Sequence, residues 1–126
     1  DPVTRRLFVT NGATGMIDVL DASNPAAISF LTSIAVGGAP THVQVSGRTL
    51  AISVNKDDGS SPGEVRFYTT AGVFQSAVEV GFLPDQVTLL NGGRTVLVAN
   101  EGEPRDGVET PGSVTIIDRS REGRDV

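Results

Sequence analysis

The feature that most constrains the fold is an internal repeat with a period of 44 to 45 residues. Three segments, RRLFVTN, RTLAISVN and RTVLVAN, end on an asparagine: Asn11, Asn55 and Asn100. After each comes a loop of growing length and then a glycine that opens a second apolar segment: Gly15, Gly63 and Gly112. Pro40 and Pro84, which precede the second and third copies, are again 44 residues apart. Three markers with one order and one period indicate a structural unit repeated along the chain.

Each repeat has room for four short strands, which we label a to d in chain order. Strand a is HVQVS or DQVTLL, strand b is TLAISVN or TVLVAN, strand c is EVRFYTT or SVTIID, and strand d is VFQSAVEV or AISFLTSIAV. Valine, isoleucine, leucine and threonine fill these segments, and glycine and proline lie between them, as is typical of short strands joined by turns. Helical repeats of similar length need a 3.6-residue apolar periodicity, which is missing here.

A period of about 40–45 residues with four strands is typical of β-propeller blades. The predicted fold class is therefore all-β, a propeller fragment of four-stranded antiparallel blades with about ten strands. It comprises a partial blade over 1–36, a complete blade over 37–80 and a partial blade over 81–126. Propellers close with roughly four to eight blades. We therefore expect the chain to be a piece of a larger protein, whose true N-terminus precedes DPVTRRLFV. Alone it should aggregate or fold poorly, because sheet edges and apolar faces would be uncovered.

Charge and composition exclude several classes of function. The net charge of −5 and the pI near 4.7 argue against nucleic-acid binding, which needs a basic face. No run of about 18 apolar residues is present, so we expect no membrane-spanning segment. The absence of cysteine excludes a disulfide scaffold and a thiolate zinc site.

Three stretches carry a family resemblance: RLFVTNGATGMIDVLDASNPAA, VGFLPDQVT and TVLVANEGEPRDGVETPGSVTIID. Together they resemble the opening blades of the choice-of-anchor I family, which is related to an animal mesenchyme-specific cell-surface glycoprotein. Strand b is also similar to the YVTN-type propeller repeat. The resemblance implies a seven-bladed propeller that is secreted or on the cell surface, and it carries no catalytic residue to this chain. His42 departs from the family's usual pattern, in which a polar uncharged residue is commoner.

Antiparallel strands place the b–c loops and the d–a connections at one end of the blades, where binding residues usually lie. The a–b turns, including NGG at 91–93, lie at the other end and are interpreted as plain hairpins. The predicted binding face comprises Asn11, His42, Lys56, Asp57, Asp58, Asn100, Arg105 and Asp106. We expect the recurring asparagines to satisfy loop backbone at the strand ends.

Acidic residues crowd the loop after the third strand b, and this raises the possibility of a cation site. Asp85, Glu101 and Glu103 are the candidate ligands for Ca²⁺, which takes several carboxylate and carbonyl oxygens. NEGEPRDG lacks the spacing of an EF-hand loop. The alternative is a solvated loop that pairs loosely with Arg105.

We interpret the chain as an extracellular or cell-surface module for binding, adhesion or surface scaffolding. Its expected partners are the remaining blades of the same propeller or neighbouring copies, with a surface polymer or a protein as candidate ligand. One histidine, no cysteine and no G-x-S-x-G motif favour a non-catalytic module over an enzyme. The alternative is a calcium-dependent phosphoesterase, alkaline phosphatase-like or phytase-like, in which Lys56 or Arg105 meets phosphate.

Overall fold

The computed structural model describes residues 1–104 and 106–121, and this part of the chain contains ten β-strands. The first three are β1 (Arg6–Asn11), β2 (Met16–Asp21) and β3 (Ser29–Ala35). The next four are β4 (Ala39–Ser46), β5 (Thr49–Asn55), β6 (Pro62–Thr69) and β7 (Phe74–Phe82). The last three are β8 (Pro84–Leu90), β9 (Thr95–Asn100) and β10 (Ser113–Asp118). No helix among the described residues is long and apolar enough to cross a membrane.

The strands form three antiparallel sheets, which follow one another along the chain. The sheet orders are β1-β2-β3, β4-β5-β6-β7 and β8-β9-β10, so each strand pairs only with its chain neighbours. This confirms the predicted all-β fold and the up-and-down order of strands a to d, as in consecutive propeller blades. The a–b hairpin between β8 and β9 has a four-residue loop with a 3-10 turn at Asn91–Gly93. The φ angles of these three residues, 52°, 68° and 84°, favour asparagine and glycine.

Two apolar clusters hold the three sheets face to face. The first lies between the first and second sheets and includes Ile17, Val19, Leu50, Ile52 and Tyr68. The second lies between the second and third sheets and includes Val65, Phe67, Val87, Val96 and Val98. Strand β5 contributes to both clusters, because consecutive side chains of a strand point to opposite faces. This explains why its sequence is almost continuously apolar.

The pairing registers define which residues are structurally equivalent in the three sheets. In strand c the equivalent residues are Met16, Glu64 and Ser113. They pair with Asn11, Val54 and Asn100 of strand b, respectively. Asn55 therefore lies one position beyond Asn11 and Asn100. The prediction that the three asparagines are equivalent was wrong for Asn55, because β5 has one residue more than β1 and β9 before its loop.

The two outer faces of the array expose apolar residues whose equivalents are buried. Strand c of the first two sheets contributes Ile17 (0% exposed), Val19 (2%), Val65 (0%) and Phe67 (0%), whereas the equivalent Val114 and Ile116 of the third sheet are each 69% exposed. On the other side, Leu7 and Val9 are 43% and 39% exposed, whereas their equivalents are all 0% exposed: Leu50, Ile52, Val96 and Val98. The same positions that join neighbouring sheets are thus open at both ends of the array.

Candidate binding face

Strand direction divides the loops between two ends of the sheets. One end, here called the loop face, holds the b–c loops (12–15, 56–61 and 101–112) and the d–a connections (36–38 and residue 83). The opposite end, here called the turn face, holds the a–b turns (47–48 and 91–94), the c–d connections (22–28 and 70–73) and the segments 1–5 and 119–121. Strands of six to nine residues separate the two faces by about 20–30 Å at roughly 3.3 Å per residue.

The 101–112 loop has a tight neck that fixes how it leaves the sheet. The Glu101 N–H donates to the Leu83 carbonyl at 2.9 Å, and the Gly102 N–H donates to the Phe82 carbonyl at 3.3 Å. Gly102 has a φ of 58°, and a Cβ there would lie 2.4 Å from the Pro111 carbonyl oxygen and 2.5 Å from that of Thr110. Only glycine permits both this backbone conformation and this close approach of the two arms.

A cleft of about 300 Å³ lies on the loop face between two neighbouring b–c loops. Its lining comprises Gly59, Ser60, Phe82, Asp106, Val108 and Thr110. The earlier loop is held in shape by its aspartates: Asp58 accepts from the Ser60 N–H at 3.1 Å, and Asp57 accepts from the Ser61 hydroxyl at 3.1 Å. The cleft therefore combines apolar side chains, a hydroxyl and an exposed carboxylate, that of Asp106.

An ion-pair network on the second sheet joins its b–c loop to the d–a connection 36–38. Glu64 accepts from Lys56 at 2.5 Å and from the Arg66 Nε at 2.8 Å, and the second Arg66 nitrogen donates to the Val36 carbonyl at 2.5 Å. The hydrogen bond from Lys56, helped by that from Arg66, lowers the pKa of Glu64 below its ordinary value. Lys56, predicted to face a ligand, is thus paired within the protein.

The predicted calcium ligands all lie at the loop end of the third sheet. Asp85 is exposed and occupies the bulge between Pro84 and Gln86, and Glu101 and Glu103 are exposed in the long loop. Within the described part of the chain, no three His, Cys, Asp or Glu side chains cluster closely enough to hold a metal ion. The calcium hypothesis stays a prediction. Arg105, the predicted partner of these acids, lies outside the described residues.

His42 lies within strand β4 rather than in a loop, and it joins two sheets. Its Nδ1 accepts from the Val87 N–H of β8 at 3.4 Å. Two residues on, the Gln44 Oε1 accepts from the Leu89 N–H at 2.5 Å. Because β8 is the edge strand of the third sheet, these two side chains satisfy N–H groups that the edge would otherwise leave open.

A hydroxyl pair reinforces the same junction. Thr41 donates to the Pro84 carbonyl at 2.6 Å and lies 2.8 Å from the hydroxyl of Ser53, which is fully buried. Thr41, Gln44 and Ser53 were not among the predicted residues. The available signal was the alternation of polar His42 and Gln44 with Val43 and Val45 in strand β4, which marks side chains that need partners across the sheet interface.

The asparagines at the ends of β1 and β9 bond mainly to side chains of strand c. Their one side-chain bond to backbone among the described residues is from the Asn100 Nδ2 to the carbonyl of Ser113, the first residue of β10, at 3.4 Å, rather than to loop backbone as predicted. The Asn11 Nδ2 donates to the Asp18 carboxylate at 3.2 Å. The Asn100 Nδ2 donates to the hydroxyls of Ser113 and Thr115 at 3.1 and 3.0 Å. Asn100 is only 4% exposed, so it belongs to the interior of the blade.

Comparison with known protein families agrees with this architecture. Residues 1–126 match the choice-of-anchor I domain along their whole length. The chain belongs to the choice-of-anchor I family. No curated protein shows significant similarity to it. Membership in the choice-of-anchor I family indicates a surface-associated module, and the predicted family resemblance is thereby confirmed.

Proposed function

We propose that this choice-of-anchor I chain forms part of an extracellular propeller that binds a protein ligand through the cleft on its loop face. The observation that carries the proposal is the pairing of a shaped cleft with an exposed carboxylate between two neighbouring b–c loops. Loops presented by a rigid scaffold are the usual place for recognition. The structural use of the other polar side chains supports a non-catalytic role.

Most of the polar groups that could serve chemistry already have structural partners. His42 and Gln44 bond backbone N–H groups of the next sheet. Glu64 is held by Lys56 and Arg66, and Asn100 bonds two hydroxyls inside its own sheet. Among the described residues, the long b–c loop adds four exposed acids to the loop face: Glu101, Glu103, Asp106 and Glu109. These features support a contact surface.

The lining of the cleft supports one class of ligand. Phe82 and Val108 offer apolar contact, and Asp106 offers a carboxylate at the same cleft. A peptide segment with a lysine or arginine beside an apolar side chain complements both, because a charge-assisted hydrogen bond supplies direction and apolar burial supplies affinity. The surrounding acids add a long-range attraction for a basic segment, which salt weakens.

The test begins with peptides selected from a random display library on the full-length protein. Their affinities are then measured by fluorescence anisotropy for the wild type and for Asp106→Asn and Val108→Ser. We expect basic-apolar peptides, with binding weakened about fivefold or more by each variant. Glu79→Gln, which removes an exposed acid of strand β7 that does not line the cleft, is the charge-matched control. Binders that tolerate both cleft variants as well as the control would contradict the proposal.

A further inference from the structure

The turn face differs sharply in charge from the loop face. Among the described loop and turn residues, the turn face carries five arginines and one aspartate, whereas the loop face carries one lysine and six acids. The turn-face set is Arg5, Arg48, Arg94, Arg119, Arg121 and Asp1. Because the two faces lie about 20–30 Å apart and the Debye length is about 8 Å at physiological salt, each acts on its surroundings as a separate charged surface.

Three of these arginines occupy one structurally equivalent position in successive sheets. Each is the residue immediately before strand b: Arg5 before β1, Arg48 before β5 and Arg94 before β9. Each carbonyl accepts an N–H from the residue six positions after the equivalent strand-c residues Met16, Glu64 and Ser113. The donors are Ala22 at 2.9 Å, Thr70 at 2.9 Å and Arg119 at 2.7 Å. The repeat thus places one guanidinium per sheet at the same height of the turn face.

The three side chains are exposed and take part in neither of the ion pairs found among the described residues. Arg119 differs, because its guanidinium lies 3.8 Å from the centre of the Phe67 ring and so packs against the second sheet. The carboxylates of Asp21 and Asp118 also lie at this end, and each accepts a hydrogen bond from the backbone two residues on, at Ser23 and Ser120. Arg5, Arg48 and Arg94 therefore present charge outward.

Sheets that pack face to face are about 10 Å apart, so the three equivalent arginine positions follow one another along the array at a spacing of that order. A row of cations at regular spacing fits an extended polymer with repeated negative groups better than a single small anion. Guanidinium groups bind carboxylates in a bidentate manner. A cleft of about 490 Å³ opens beside the row, lined by Arg6, Arg48, Thr70, Val3 and Asp1 among others.

We propose that the turn face binds an acidic polysaccharide, with Arg5, Arg48 and Arg94 contacting successive carboxylates along the polymer. The cleft between Arg6 and Arg48 receives a sugar unit, because threonine hydroxyls can bond sugar hydroxyls and Val3 and Ala71 can contact the ring. Asp1 in the same cleft opposes binding there, so most of the attraction comes from the row. This site is distinct from the protein-binding cleft on the loop face, and each can fail without the other.

The test uses the full-length protein, calcium-free buffer and isothermal titration calorimetry with polygalacturonate as the probe. We expect the wild type to bind polygalacturonate. The affinity should fall as the salt concentration rises from about 50 to 200 mM, because salt screens interactions between exposed charges. The double variant Arg48→Gln and Arg94→Gln should lose about fivefold to tenfold in affinity and show a shallower salt dependence. Both arginines are exposed, so the fold should be kept, which circular dichroism checks.

The matched control is Glu101→Gln with Glu103→Gln, which removes two charges from the loop face and should leave the affinity equal or slightly higher. Three results would overturn the proposal. The first is no binding of polygalacturonate by the wild type. The second is an equal loss in the arginine and glutamate variants. The third is binding of polyphosphate or of a second copy of the protein, but not of polygalacturonate.

Discussion

Phe67 is the residue whose removal most sharply tests how neighbouring sheets are joined. Its ring is fully buried in the cluster between the second and third sheets, where it is the largest of the buried side chains. The Arg119 guanidinium, from the segment after β10, lies 3.8 Å from the ring centre. The side chain therefore links two sheets, both through apolar burial and through a cation–π contact.

Replacement of Phe67 by alanine should lower the free energy of unfolding by about 3–5 kcal/mol, the usual cost of such a cavity. Arg119→Ala should cost about 0.5–2 kcal/mol through the lost cation–π contact. In the double variant the loss of free energy of unfolding should be smaller than the sum of the two single losses, because each single change already removes the same contact. The free energy is measured by urea unfolding of the full-length protein, followed by circular dichroism.

Phe30→Ala is the matched control, since this ring is 62% exposed and its loss should cost less than about 1 kcal/mol. If Phe67→Ala destabilised the protein no more than Phe30→Ala, the packing between the second and third sheets would contribute little. The view of the sheets as tightly joined blades would then be refuted.

Three further predictions concern the loop face. Gly102→Ala should destabilise the 101–112 loop by at least about 1–2 kcal/mol, because the φ of 58° and the nearby carbonyls oppose a Cβ. Amide hydrogen exchange in this loop should become faster, and an unchanged exchange rate would contradict the prediction. The lowered pKa of Glu64 means that its ionised form stabilises the fold fully above the ordinary value of 4.5, and that this stability is lost as the pH falls through the lower folded-state pKa. Glu64→Gln should weaken the fall in the free energy of unfolding at acid pH. An unchanged pH dependence would show that the ion-pair network contributes nothing to stability. The calcium hypothesis predicts that calorimetry detects Ca²⁺ binding to the full-length protein, and that Asp85→Ala combined with Glu101→Ala abolishes it; identical flat traces would identify a solvated loop.

The strands most accurately predicted from sequence were those with the strongest local signals. TLAISVN, TVLVAN and SVTIID match β5, β9 and β10 residue for residue. Their apolar runs and the flanking glycines are sufficient to place them. The repeat then determined the pairing order, because consecutive antiparallel strands need only short connections.

Register and partners across sheets were harder to predict, since they depend on residues distant in the chain. Asn55 shares its sequence context with Asn11 and Asn100, yet one extra residue in β5 moves it out of the equivalent position. Its Oδ1 is buried and has no hydrogen-bond partner among the described residues. His42 bonds a backbone N–H 45 positions later, and nothing local to His42 encodes that contact.

The candidate sites followed the same division. The location of the b–c loops at one end was predictable, because strand alternation requires it. The pairing of Lys56 with Glu64 and the burial of Asn100 were not predictable, because they depend on packing in the folded chain. The arginines stand in RRLFV, RTLAI and RTVLV, where the sequence alone predicts only the starts of strands. Only the structure shows that they share one end.

The three sheets have the arrangement of consecutive propeller blades, each covered by the next through equivalent positions. Ile116, at the position of Val19 and Phe67, is 69% exposed in this array. In the full-length protein, Ile116→Ala should therefore lower the free energy of unfolding by about 2–5 kcal/mol, as does loss of a buried isoleucine. A loss below about 0.5 kcal/mol, typical of an exposed position, would show that no blade covers this face and would contradict the account.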